Sequence, residues 1–212
     1  GAYSANSSSV SPIGASDAPT SVTGSPGNTQ VSLTWSAPTN NGGLQITDYA
    51  IQYSSNGGTN WLTFSDGVST ATSTCVTDLA NGTSYVFRVA AVNSVGTGSY
   101  SASSLPVIPL TTPGSPTSVS GTAGNTQVSL SWSAPSNNGG SAILDYIIQV
   151  SNDNGSNWTT FNDGVSTATT ATITGLTNGS SYLFKVAAVN AAGTGSYSAN
   201  SSVVVPLGVP SS

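Results

Sequence analysis

Seven aspartates, one arginine, one lysine and one cysteine are the ionisable side chains of this 212-residue chain besides its tyrosines; histidine and glutamate are absent. Acid–base and nucleophilic catalysis usually draw on His, Glu or a Cys beside a base, so the common catalytic sets cannot be assembled. Aspartate remains, and paired-carboxylate chemistry needs two of them held across a cleft. Asp48 and Asp145 stand 97 residues apart, as do Asp66 and Asp163. Such recurrence reads as turn and strand-entry chemistry, in which an Asp side chain accepts nearby backbone N–H groups. A calcium site in "SNDNGSNW", residues 151–158, would rest on Asp153 alone, although calcium takes several oxygens and more than one carboxylate. The equivalent "SSNGGTNW" contains none. No catalytic residue, metal ligand or cofactor is expected.

Three other features invite chemistry. Trp61 and Trp158 could stack on sugar rings, or cover the edge of a core together with Phe64 and Phe161. Asn-x-Ser/Thr sequons occur at Asn6, Asn81, Asn154, Asn157, Asn178 and Asn200, in a chain whose Ser, Thr and Asn content produces such matches by composition. Cys75 stands where the second half has Thr172, and alternation with Val76 points it outward. It reads as a tolerated replacement of Thr or as a cross-linking thiol in an oxidising medium.

Nine charged residues and a net charge of -5 leave Ser, Thr, Gly and Asn to cover the surface. Nucleic acid is excluded as a partner, because counterion release needs clustered Lys and Arg. No run approaches the roughly 18 apolar residues of a membrane-spanning helix. No basic, hydrophobic leader is present, so the chain reads as mature, truncated or excerpted, with an extracellular or cell-surface setting expected.

Internal repetition sets the architecture. A shift of 97 residues superposes Trp35 on Trp132, Tyr49 on Tyr146, Trp61 on Trp158 and Tyr85 on Tyr182 without a gap, and 61 of the 97 positions from 14 to 110 are identical. Two copies of one domain in series follow, over 15–110 and 111–212. The join "LTTPGSP", 110–116, holds two prolines and predicts a semi-rigid linker and an extended rod. Within a unit the period is two: Val31, Leu33 and Trp35 alternate with Ser32, Thr34 and Ser36, and "DYAIQYS" and "TSYVFRVAAVN" alternate likewise. Turn signals separate these runs at "APTNNGG", "SNGG", "SDGV" and "ANGT". The fold class is all-β: two tandem seven-stranded antiparallel immunoglobulin-like sandwiches, with Trp35 and Trp132 in their cores.

Trp35, "LANGTSY" (79–85) and "FRVAAVNSVGTGSYS" (87–101), repeated as Trp132, "LTNGSSY" (176–182) and "FKVAAVNAAGTGSYS" (184–198), resemble the fibronectin type III domain. The resemblance covers nearly the whole chain. It implies that Tyr85 and Tyr182 form the tyrosine corner, each hydroxyl bonding back to nearby backbone. The family's integrin-binding Arg-Gly-Asp is absent from the corresponding loops, so integrin adhesion is not implied.

Two features point to self-association. Alternation puts Val86, Ala90 and Val92 outward in the first unit and Leu183, Ala187 and Val189 outward in the second, an apolar strip with little charge to guard it. Residues 1–14 align at the same spacing with the last strand of each unit: Tyr3 with Tyr100 and Tyr197, Val10 with Val107 and Val204. They read as the final strand of a preceding repeat. The expected partners are other copies of the chain, head to tail, with cell-surface polysaccharide a second class. The function expected is a structural subunit of an extracellular filament, sheath or surface layer built by strand and face contacts; the alternatives are a spacer in a secreted carbohydrate-active enzyme and a cell-surface adhesin segment.

Overall fold

The computed structural model describes residues 12–208 and divides between Pro109 and Leu110 into two compact units. In the first, β1 (Thr20–Gly27), β2 (Gln30–Ser36) and β5 (Ser73–Val76) form one antiparallel sheet in the order β1-β2-β5. The other sheet, in the order β4-β3-β6-β7, contains β3 (Asp48–Ser54), β4 (Leu62–Phe64), β6 (Val86–Asn93) and β7 (Gly96–Tyr100). The second unit repeats the plan with β8 (Thr117–Gly124), β9 (Gln127–Ser133) and β12 (Thr170–Thr174) facing β10 (Asp145–Ser151), β11 (Thr159–Phe161), β13 (Leu183–Asn190) and β14 (Gly193–Thr194). No helix occurs among the described residues. Each unit therefore has the expected seven strands in two antiparallel layers.

Alternation fills the space between the layers. Val31, Leu33 and Trp35 of β2 meet Tyr49 and Ile51 of β3 and Phe87, Val89 and Ala91 of β6, all buried. Trp35 and Tyr49 pack edge to face with ring centres 5.2 Å apart; Trp132 and Tyr146 do so at 5.3 Å. The second core repeats the first with Val128, Leu130, Ile148, Phe184 and Val186. The long pairs are regular, with Tyr49 opposite Ala91 and Gln52 opposite Arg88 across β3 and β6. Irregularities gather at sheet edges, in β1 between Thr20 and Thr23 and beside β7 between Ala90 and Val92.

Candidate functional site

The outer face of each four-stranded sheet is closed by a stack of side chains from three strands or their connections. Trp61 comes from the end of the β3–β4 hairpin, Tyr100 from β7, and Arg88 from β6 between them. The Arg88 guanidinium lies 4.2 Å from the centre of the Trp61 ring and 4.5 Å from that of Tyr100. Gln52 Oε1 accepts both Arg88 Nε at 2.9 Å and Nη2 at 2.7 Å, which holds the guanidinium in place. In the second unit the Lys185 ammonium sits 4.1 Å from Trp158 and 4.9 Å from Tyr197. A cation over an aromatic face is attracted by the ring quadrupole, more strongly where water is displaced.

This stack corrects the expected apolar strip. Ala90 and Ala187 are 0% exposed, Val86 is 9% and Leu183 8%, while Val92 and Val189 are half-buried. Alternation assigns a side chain to a face but does not say what folds over that face. Tyr100 pairs opposite Ala90. The β10–β11 hairpin closes over Leu183 at Gly155, where an added Cβ would lie 3.8 Å from Leu183 Cδ1. Trp61 and Trp158 thus cover the outer face of a sheet, and each has a cation on its ring. Tyr3 and Val10 lie outside the described residues.

Beyond β7 the chain stays against β6 by an unusual bonding pattern. The backbone N–H groups of Ser101 and Ser104 donate to Val89 and Phe87 carbonyls in ordinary ladder fashion. The return bonds run to side chains: Val89 N–H donates to Ser101 Oγ at 3.1 Å and Phe87 N–H to Ser104 Oγ at 3.0 Å. Each hydroxyl then donates to the next residue's carbonyl, Ala102 or Leu105, at 2.8 Å. Ser198 and Ser201 do the same for Val186 and Phe184. Two hydroxyls thereby carry a bulged segment past the edge without orphaning a buried donor. Val107 then bridges to Tyr85, and Val204 to Tyr182.

Both tyrosine hydroxyls meet the backbone as the family resemblance implies. Tyr85 Oη accepts Ala80 N–H at 3.1 Å, and Tyr182 Oη accepts Thr177 N–H at 3.0 Å. Each unit also grips the segments that enter and leave it. Gly14 donates its N–H to the Gly42 carbonyl, while its own carbonyl accepts Asn93 Nδ2 at 2.8 Å. In the second unit Thr111 pairs with Gly139 and accepts Asn190 Nδ2 at 2.8 Å. Gly139 has φ +74, and an added Cβ would strike the Thr111 carbonyl, so close backbone approach requires glycine there. On leaving, the Pro109 carbonyl accepts Gly82 N–H and the Pro206 carbonyl accepts Gly179 N–H, both at 2.9 Å. Gly14 was expected at the end of a preceding strand; these bonds dock it on the first unit.

Asp48 and Asp145 hold backbone amides 21 residues on in sequence, not those of their own turns. Asp48 Oδ1 accepts Ser69 N–H and Asp145 Oδ1 accepts Ser166 N–H, each at 3.0 Å. Burial pushes the Asp163 carboxyl above its usual range, partly offset by its own backbone amide and reinforced by the nearby Asp145 charge. Asp153 caps the β10–β11 hairpin: the backbone N–H of Asn157, then its side-chain amide, then the Ser151 hydroxyl hold the carboxyl down to about 2. Its oxygens therefore serve the hairpin. Cys75 is exposed on β5. Asn81 Nδ2 donates to Asn28 Oδ1 at 2.8 Å and Asn81 Oδ1 accepts Thr29 N–H, and Asn178 holds the Asn125–Thr126 turn likewise. Those two sequon amides fasten the first hairpin of each unit.

Two antiparallel sheets of three and four strands, closed by a tyrosine corner, define an immunoglobulin-like sandwich of the fibronectin type III kind. The family model described as "Fibronectin type III domain" matches residues 17–106 and 114–204, and the chain belongs to that family. It is 39% identical over 121 residues to myomesin-2 of Homo sapiens, across 55% of this chain and 8% of that protein. A kelch domain-containing protein of Saccharolobus solfataricus is 36% identical over 172 residues, 81% of this chain and 22% of the relative. Cardiac-type myosin-binding protein C of Gallus gallus is 27% identical across 79% of this chain and 13% of its own length. The chain thus spans less than a quarter of the curated relatives named here. Among solved structures, titin domains A168–A170 align with TM-score 0.57 and 20% identity over 88% of this chain and 61% of that one, which shows the fold.

Proposed function

We propose that the chain is a non-catalytic structural module of an extracellular or cell-surface assembly, joined head to tail to other copies by strand pairing. One observation carries the reading. In the first unit the chain from the end of β7 is fastened to β6 and the residues just before it, and in the second the chain after β14 to β13 and the residues just before it, by a Tyr-Ser-x-x-Ser-x-x-Val-x-Pro pattern: Tyr100, Ser101, Ser104, Val107 and Pro109, then Tyr197, Ser198, Ser201, Val204 and Pro206. The same pattern stands at Tyr3, Ser4, Ser7, Val10 and Pro12. Residues 3–12 thus carry the groups with which such a strand docks on a β6-type partner; because each unit of a copy already holds its own segment there, docking on another copy exchanges one segment for the other. Strand addition of this kind is heterologous and propagates into a fibre. Names such as myosin-binding protein C are consistent with repeats that engage other proteins.

The test is electron microscopy and analytical ultracentrifugation of the chain beside a Ser4→Ala, Ser7→Ala, Val10→Asp variant. Concentration-dependent polymers that the variant fails to form support the reading. A chain that stays monomeric at all concentrations favours the spacer, the runner-up.

A further inference from the structure

The three-stranded sheet of each unit presents a different outer face. In the second unit the register places Ser120, Ser131 and Thr170 side by side across β8, β9 and β12, with Thr122, Ser129 and Thr172 in the adjacent outward row. All six are exposed, while the intervening Val128 and Leu130 point into the core. In the first unit the rows are Thr23, Thr34 and Ser73, then Ser25, Ser32 and Cys75. The Thr23 and Thr34 hydroxyls are 2.9 Å apart, and those of Ser120 and Ser131 3.1 Å. Sheet geometry spaces such groups by roughly 4.8 Å across strands and about 6.7 Å along them. Eleven of these twelve positions are hydroxyls, and none carries charge. The four-stranded sheet instead closes its outer face with stacked rings, so the hydroxyl array is confined to one layer.

We propose that these hydroxyl faces bind the surface of a neutral, insoluble polysaccharide. A face without charge offers no ionic attraction to phosphate, sulfate, nucleic acid or charged protein surfaces. Each hydroxyl both donates and accepts, which suits a partner whose own groups do both, as sugar hydroxyls do. Single hydroxyl contacts that replace water gain little. A free oligosaccharide therefore binds weakly, whereas a solid surface engages a whole row together and retains the chain through effective concentration. The site is distinct from the tryptophans, whose rings carry Arg88 and Lys185. It is also independent of strand-mediated polymerisation, so either proposal can fail alone.

The test is co-sedimentation of the 212-residue chain with microcrystalline cellulose and with chitin, at low and at high sodium chloride. Binding to at least one polymer that survives high salt is expected. A Thr34→Lys, Ser131→Lys variant should bind about tenfold more weakly. A Thr34→Val, Ser131→Val variant, which removes both hydroxyls and leaves strand-forming β-branched residues at both positions, should show the same direction of change, with thermal unfolding checking both folds. The proposal is overturned if neither polymer retains the chain, if high salt abolishes retention, or if the Thr34, Ser131 variants bind normally; loss of binding in a Trp61→Ala, Trp158→Ala variant alone would place the site on the ring stacks instead.

Discussion

Phe87 and Ser104 lie on neighbouring segments, yet the Phe87 backbone N–H donates to the Ser104 hydroxyl, at 3.0 Å and out of water's reach. Removing that oxygen orphans a buried donor. Ser104→Ala should destabilise the first unit by about 1–3 kcal/mol, and Ser201→Ala the second. Denaturant unfolding followed at each unit measures this, with exposed Ser103→Ala as a control expected to change little.

Ala90 and Ala187 lie beneath the ring stacks with no exposed surface. Lysine at either position must displace Tyr100 or Tyr197 and bury its stem against Arg88 or Lys185. Ala90→Lys should therefore destabilise its unit by at least the ~1–3 kcal/mol of an overpacked site, with like charges adding to it. A variant with an unaltered melting midpoint would contradict the stack.

The two stacks also differ in their cation. Arg88 is planar and doubly bonded to Gln52, whereas Lys185 is a point charge between its rings. Arg88→Ala is expected to cost the first unit about 1–2 kcal/mol, more than Lys185→Ala costs the second. The fluorescence of Trp61 and Trp158 should shift in the respective variants.

Hydrogen bonds hold the Asp153 carboxyl down to about 2, below the roughly 3.9 of an unfolded chain. A depressed carboxylate contributes stability above its unfolded value and loses it as pH falls through the folded one. The hairpin at 151–157 should therefore loosen between about pH 4 and pH 2, read from amide exchange at Asn157. Asn56 occupies the same place in the first unit, where its Oδ1 accepts Asn60 N–H at 2.9 Å. It cannot titrate, so that hairpin should hold over the same range.

Tyr85→Phe and Tyr182→Phe remove the acceptors for Ala80 and Thr177 N–H. Each should cost about 1–3 kcal/mol, checked by differential scanning calorimetry.

The layering was legible in the sequence because one signal governs it. Val31, Leu33 and Trp35 alternate with Ser and Thr, and a strand with one dry face has no other way to bury them. The outer faces were less legible, because alternation also sent Val86 and Ala90 outward, where neighbouring strands cover them. What covers them is set by Trp61 and Tyr100, which are far apart in sequence and brought together by register. Ser101 and Ser104 were hidden for another reason: a hydroxyl near a strand reads as polar surface, and nothing local says that it replaces a carbonyl in the ladder. The hydroxyl rows were spelled out residue by residue, but they become rows only when β1, β2 and β5 are aligned.

The grips on Gly14 and Thr111, and on Pro109 and Pro206, bear on how such a chain grows. Every unit supplies its own donors and acceptors for the segment it receives and for the segment it releases. Copying 97 codons therefore copies a complete set of fastenings. Unequal crossing-over can lengthen or shorten the array by whole units in a single event. The 61 positions shared between the two units fit duplication of such a self-contained block.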